Sequence, residues 1–167
     1  ARRQISEWMR MLKQSGIPAF EKARLVSVAS SIGVRESRKL KGIHILNVQE
    51  LKDCTMFPDA IALGNYDVDI HNPEGSGTSH YYFAPGTYYS IPYRSLLPRE
   101  LDNLLVGGRC ISATHEAQAS IRIMPICATL GQAAGTAGAV ALQTGKTAHT
   151  VDVKAVQNVL RANGASL

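Results

Sequence analysis

Apolar residues at the start of the chain recur with a helical period. In QISEWMRMLKQS, residues 4–15, Ile5, Trp8, Met9 and Leu12 fall at i, i+3, i+4 and i+7, which is one face of a helix. Gly16 and Pro18 end it. In ARLVSVASSIGVRESRKLKG, residues 23–42, Leu25, Val26, Val28, Ile32 and Val34 predict strands with a break near Gly33. Asn47 followed by Glu50 carries the capping-box signature of a short helix. The alternation in YDVDIH, 66–71, turns Val68 and Ile70 to one side and Asp67, Asp69 and His71 to the other. NPEGSGTSH then reads as a turn-rich exposed loop. YYSIPYRSLLP, 88–98, predicts a strand in which Pro92 demands an edge or a bulge. NLLVGGR, 103–109, predicts a short apolar strand ending on a double glycine. At the end of the chain, Asp152 is a good N-cap, Val153, Val156, Val159 and Leu160 form a stripe, and Gly164 suits the position after the last turn.

One stretch departs from these ordinary patterns. MPICATLGQAAGTAGAVAL, 124–142, lies in a run without charge from Arg122 to Lys146. Its length permits a bilayer span. Pro125, Thr129, Gln132, Thr136 and Gln143 lower its hydropathy and no aromatic belt flanks it, so a buried helix starting near Pro125–Thr129 is expected instead. Gly131, Gly135, Gly138 and Leu142 share one face at i, i+4, i+7 and i+11. Each interior glycine costs about 0.5–1 kcal/mol relative to alanine. Such a face serves close packing against a sheet or close approach of a flat ligand. The double glycine just upstream favours the ligand, because ligands bind beyond the carboxyl ends of strands and near helix N-termini.

Composition narrows the classes. The chain has 167 residues, 45% hydrophobic and 19% charged, which excludes a disordered polyanion or polycation and allows a real core. Net charge is +5, but residues 1–41 hold ten Lys/Arg against three Asp/Glu, a local +7 that leaves −2 for the rest. No nucleic-acid motif accompanies this basic end, so a solvated face or one packed on an acidic neighbour is expected, with no nucleic-acid or membrane partner. Cys54, Cys110 and Cys127 show no CxxC spacing, which points away from a disulfide framework or a zinc site and towards a reducing, cytoplasmic compartment. The chain opens Ala-Arg-Arg without an initiating Met and reads as a processed or truncated start. It contains no GxGxxG and no GxxxxGK[ST].

NLLVGGRCISATHEAQASIRIMPICATLGQAAGTAGAVAL, 103–142, resembles the C-terminal flavin-binding segment of the FAD-dependent oxidoreductases, a large bacterial family of the glutathione-reductase-like group. GVRESRKLKG, FPDAIALGNYDVDIHNPEG and IPYRSLLP extend the resemblance over roughly residues 25–160. It implies an α+β fold that is a partial flavoprotein: a β-rich substrate-binding region with the N-terminal helix (1–102), then the closing strand and helix of the FAD-binding domain with the final helix (103–167). The dinucleotide-binding βαβ unit that grips the ADP half of FAD is missing from it. The implied activity is hydride transfer from a small-molecule donor to FAD. The partner is either a chain carrying the N-terminal FAD-binding half or a second copy. The rival reading is a non-catalytic interaction module derived from a flavoprotein.

The resemblance also implies site residues. Gly107, Gly108 and Arg109 would pass near the ribityl–phosphate region. Many relatives have a Gly-Asp pair where this chain has Gly108-Arg109, so Arg109 either approaches pyrophosphate or caps the sheet. Thr129, Leu130, Gly131 and Gln132 would offer backbone N–H groups to the flavin's pyrimidine edge. His115 is either a base for a substrate hydroxyl, oriented by Glu116, or a loop histidine capping backbone. Arg122 either binds an acidic substrate or fixes the loop. In GVRESR, a strand would put Arg35 and Ser37 on one face and Glu36 and Arg38 on the other, with Glu36–Arg38 a surface ion pair and Arg35 a substrate candidate. His71, His80 and Arg94, with Tyr93, are further substrate-facing candidates. Asp69, His71 and His80 are too loosely spaced for a metal site, and none is expected.

Overall fold

The computed structural model describes residues 2–71 and 77–167, apart from the side chains of His71 and Thr78. The chain divides into two compact units, Ala1–Arg35 and Glu36–Leu167. The boundary expected at 102/103 falls inside the second.

In the first unit, α1 (Arg2–Gln14) has the strong amphipathic pattern read from the sequence, yet none of its residues is buried. Arg3 pairs with Glu7 one turn on, at 2.9 Å. Gly16, at φ +71°, ends the helix in the left-handed region, and Pro18 opens the single-turn α2 (Pro18–Glu21). The strands expected over 23–42 do not form: the backbone there is irregular, and Leu25, Val26, Val28 and Ile32 are exposed. β-branched residues become a strand only where a neighbour accepts the ladder, and among the described residues no strand pairs with this stretch.

The second unit is α+β. Helix α3 (Val48–Lys52) has the full capping box: Asn47 Oδ1 accepts from the N–H of Gln49 and Glu50 at 3.0 and 3.1 Å, and Asn47 N–H donates to Glu50 Oε2 at 2.9 Å. Strands β1 (Ala60–Gly64) and β4 (Tyr89–Pro92) pair antiparallel, as do β2 (Val68–His71) and β3 (Thr78–Tyr81). Each pair is a separate two-stranded sheet. β3 thus occupies the end of the stretch read as a loop; residues 72–76 of that stretch lie outside the described residues. Pro92 sits at the end of β4 opposite Ala60, where the register slips past Ile61, the bulge that its missing N–H called for. The rest of the expected strand 88–98 tightens into a 3₁₀ turn, Tyr93–Leu96.

NLLVGGR is likewise not a strand. Val106 N–H donates to Leu96 O at 3.0 Å, and Gly108 O accepts from Ile111 N–H in a local turn at 3.4 Å; neither makes a ladder. Helices α4 (His115–Ile121), α5 (Met124–Thr144) and α6 (Val153–Ala162) complete the unit. α5 carries Pro125 in its first turn and ends on Gly145 at φ +63°. It is long and apolar enough for a bilayer, but Ile126, Leu130, Ala133, Ala137, Val140 and Ala141 form a stripe seated in the core. Leu46, Ile91, Ile111 and Leu130 are fully buried there, each contributing about 1.5–3 kcal/mol. Gln157 of α6 donates both amide hydrogens to β1's flank, to the carbonyls of Pro58 and Ala60 at 2.9 Å each. α6 follows its reading otherwise, with Asp152 as N-cap and Gly164 at φ +83° just beyond the end.

Candidate functional site

The site is built on residues 110–114, a strip that bends at 110–112, bridges Leu46 through Ala113 and is held on both sides. Ser112 N–H donates to Ser95 O at 2.9 Å, while Leu46 N–H donates to Ser112 O at 3.1 Å and Thr114 N–H to Leu46 O at 2.8 Å. Upstream, Leu40 N–H donates to Cys110 O at 2.9 Å and Gly42 N–H to Ser112 Oγ at 3.0 Å. Gly42 is obligatory: a Cβ there would lie 2.7 Å from Ser112 Cβ and 2.8 Å from Leu97 O. The strip delivers Thr114 as the N-cap of α4, its hydroxyl accepting from Ala117 N–H at 3.3 Å.

His115 is therefore the first residue of α4. Its Nδ1 meets Glu36 Oε2, and Glu36 Oε1 accepts from Lys39 Nζ at 2.6 Å. The imidazole is 52% exposed and the carboxylate 22%. Burial works to raise the Glu36 carboxyl, but hydrogen bonds from Lys39 and His115, with their charges, outweigh it and hold it below its ordinary value. Glu36 thus pairs with Lys39 and His115, not with Arg38. Glu116 does not orient the histidine. Its own backbone N–H, with help from Thr114 and against burial, lowers its carboxyl, which is helix-capping work. No local spacing in the sequence marks a contact between residues 79 apart, and a strand reading of GVRESR turned Glu36 towards Arg38 instead.

The double glycine has two separate causes. Gly107 passes against α5, where a Cβ would sit 3.1 Å from Leu130 O and 3.3 Å from both Gly131 Cα and Ala134 Cβ. Gly108 holds φ +85°. Arg109 is exposed, and its carbonyl accepts from Gln118 Nε2 at 2.8 Å. Burial raises the Cys127 thiol in α5's first turn, with the Arg109 charge acting against it.

Thr129, Leu130, Gly131 and Gln132 lie one turn inside α5. Their N–H groups are taken by the helix ladder, which starts with Cys127 N–H to Ile123 O at 2.9 Å. In α5's first turn the N–H groups of Met124 and Ile126 have no intrahelical partner, and Pro125 has no N–H. What α5 offers further along is an open surface: a Cβ at Gly131, Gly135 or Gly138 would meet nothing within 4 Å. Leu130 is buried in the core. Thr129 and Gln132 line a cavity of about 280 Å³ with Ile61–Leu63 and residues 163–167.

Of the remaining candidates, Arg122, His80 and Arg94 each meet a carboxylate. Arg122 Nη2 donates to Asp69 O at 3.1 Å and lies 3.8 Å from Asp69 Oδ2. His80 Nε2 approaches Asp69 Oδ1 at 3.4 Å and stacks on Tyr82. Arg94 makes a bidentate pair with Asp59 at 2.9 and 3.2 Å over the ring of Phe57. Tyr93 is buried, donates to Ala148 O at 2.8 Å, and is pushed up to about 12 by burial. The His71 side chain lies outside the described residues, and Arg35 belongs to the first unit. Among the described residues no group of three or more His, Cys, Asp or Glu could hold a metal ion.

A family model described as FAD dependent oxidoreductase matches residues 1–160, nearly the whole chain, and the chain belongs to that family. No curated protein and no solved structure matches it.

Proposed function

From membership of the FAD dependent oxidoreductase family, we propose that this chain forms one wall of a flavin site and carries the proton acceptor for oxidation of a small hydroxyl-bearing donor. The observation that carries the reading is the crossing of Gly107 on α5 at Leu130–Ala134. It joins the glycine pair and Arg109 to a helix whose outer surface, at Gly131, Gly135 and Gly138, is bare of side chains. That surface fits a planar ring system, the free N–H groups of Met124 and Ile126 fit its carbonyl edge, and exposed Arg109 fits a phosphate. FAD, when bound, supplies a two-electron acceptor for the donor's C–H hydride.

This chain's residues do the rest. His115 takes the donor's hydroxyl proton, so that loss of proton and hydride converts the alcohol to a carbonyl. Arg122 and His80, gathered round Asp69, orient a donor bearing an acidic group by exchanging Asp69 for it. Because residues 1–167 hold no GxGxxG, firm retention of FAD depends on a dinucleotide-binding segment outside these residues.

The test is a visible spectrum after gel filtration with FAD, for the chain alone and for the chain co-expressed with the product of the adjacent coding sequence. Flavin bands retained in the complex, with donor-dependent reduction of a dye acceptor across a panel of small alcohols, are the expected result. A colourless chain under both conditions refutes it.

A further inference from the structure

Glu36 reaches His115 across 79 residues by a route that fixes both partners. Its segment is pinned to the strip at Cys110 and Ser112 by the bonds of Leu40 and Gly42, and the same strip ends in the cap that starts α4. The two carboxylate oxygens divide their work: Oε1 accepts from Lys39 at 2.6 Å and Oε2 meets the imidazole Nδ1. We infer that Glu36 is the positioning residue for His115, accepting the Nδ1–H and so leaving Nε2 as the unprotonated, proton-accepting atom. This rests on the reading of His115 as the base.

A carboxylate accepts only, so the nitrogen that faces it must carry the hydrogen. Which nitrogen is protonated is set by the bond the other makes. Without Glu36 the ring reverts to the Nε2–H form preferred by histidine in water, and the atom meant to take the proton is already occupied. Lys39 favours the ionised carboxylate. The charged groups facing the ring are Glu36 and Lys39 from the pinned segment and Glu116 from α4. Glu116 serves its own N–H and Thr114 and does not compete. When Nε2 accepts the donor's proton, the imidazolium keeps its Nδ1–H on the Glu36 carboxylate, which stabilises the charge formed.

The test does not need the flavin. Long-range ¹H–¹⁵N correlation on the full chain in mildly alkaline buffer reports the tautomer of each of the five histidines, and His115→Gln assigns the His115 signal. The wild type should show Nδ1–H, and Glu36→Ala should move His115 to Nε2–H with an unchanged far-ultraviolet spectrum. Should Glu36→Ala unfold the chain, Lys39→Met gives a second reading, in which the carboxylate stays and Nδ1–H persists. Nε2–H in the wild type, or Nδ1–H retained in folded Glu36→Ala, overturns the inference. In the completed enzyme, His115→Ala should lower kcat about 10²–10⁴-fold, with Glu36→Ala intermediate and the double variant no worse than His115→Ala. Undiminished turnover in His115→Ala removes the base assignment, and the inference with it, even where the tautomer shift is seen.

Discussion

A methyl group added at Gly107 and one added at Gly131 should move stability in opposite directions. The two glycines meet at one crossing, but only Gly107 points into it; Gly131 contributes its Cα and points outward. At Gly107 the new carbon would lie 3.1 Å from the Leu130 carbonyl oxygen and 3.3 Å from Gly131 Cα and Ala134 Cβ. Two of these are helix backbone and cannot swing aside, so the segment must lift off α5, at a cost of about 1–3 kcal/mol. At Gly131 the carbon would meet nothing within 4 Å, and replacing an interior helix glycine by alanine gains about 0.5–1 kcal/mol. Urea unfolding followed at 222 nm separates the two. With a slope of about 2 kcal/mol/M, Gly131→Ala should raise the midpoint by about 0.25–0.5 M and Gly107→Ala should lower it by about 0.5–1.5 M. If the bare face is the flavin wall, Gly131→Ala in the completed enzyme should also weaken FAD retention while the chain itself becomes more stable. A Gly131→Ala chain that is less stable refutes the open face. One that is more stable and holds FAD as well as the wild type refutes the wall.

The other predictions concern the core and the Glu36 cluster. Gly64 faces Tyr89 across the β1–β4 ladder, and a Cβ there would fall 2.6–2.7 Å from two ring carbons and the hydroxyl oxygen of the buried side chain; Gly64→Ala should lower stability by at least about 2–3 kcal/mol in the same urea assay. Tyr89→Phe removes a 2.6 Å bond to Ser120 Oγ, but Ser120 keeps the Tyr66 carbonyl, so the loss should stay within about 0.5–1.5 kcal/mol. The Glu36 carboxyl is lowered in the fold; its stabilisation is present above the unfolded-state titration and lost as pH falls through the folded-state one. Urea midpoints measured from neutral pH into the acid range should therefore fall less steeply in Glu36→Gln than in the wild type.

What the sequence revealed and what it hid differ in a physical way. Helices were legible because their signals are local: the Asn47–Glu50 capping box, the Asp152 cap and the Pro125 start all hold hydrogen bonds or turns within a few residues. Val26 and Val106 stand in equally apolar runs, yet neither belongs to a strand, because a strand exists only when another segment accepts its ladder. The same limit governed the site. The sequence pointed to His115 and to the glycine pair, but Glu36 is joined to His115 only through the pinning of Leu40 and Gly42 on 110–112. The glycine face of α5 was read as a face of close approach. The approach occurs at its edge, from Gly107, while the face itself stands open.

Charged residues marked as substrate ligands by type alone become distinguishable once their partners are known. Arg94 already has a bidentate carboxylate in Asp59, so to bind a substrate's acid it must release an equivalent one and the net gain is small. Arg122 and His80 share Asp69 and face the same exchange, eased because one carboxylate serves two cations. His115 faces no exchange: Glu36 occupies Nδ1, and on the proposed reading the proton is taken at Nε2, so partner and substrate use different atoms. The consequence is an ordering that a single set of variants can test. Arg94→Met should lower stability by about 0.5–1 kcal/mol, small because the guanidinium is 45% exposed, and leave donor affinity unchanged. Arg122→Met should raise KM for an acidic donor, and His115→Ala should lower kcat with KM unchanged. A rise in KM from Arg94→Met as large as that from Arg122→Met would show that an intramolecular carboxylate does not decide which cation meets the substrate.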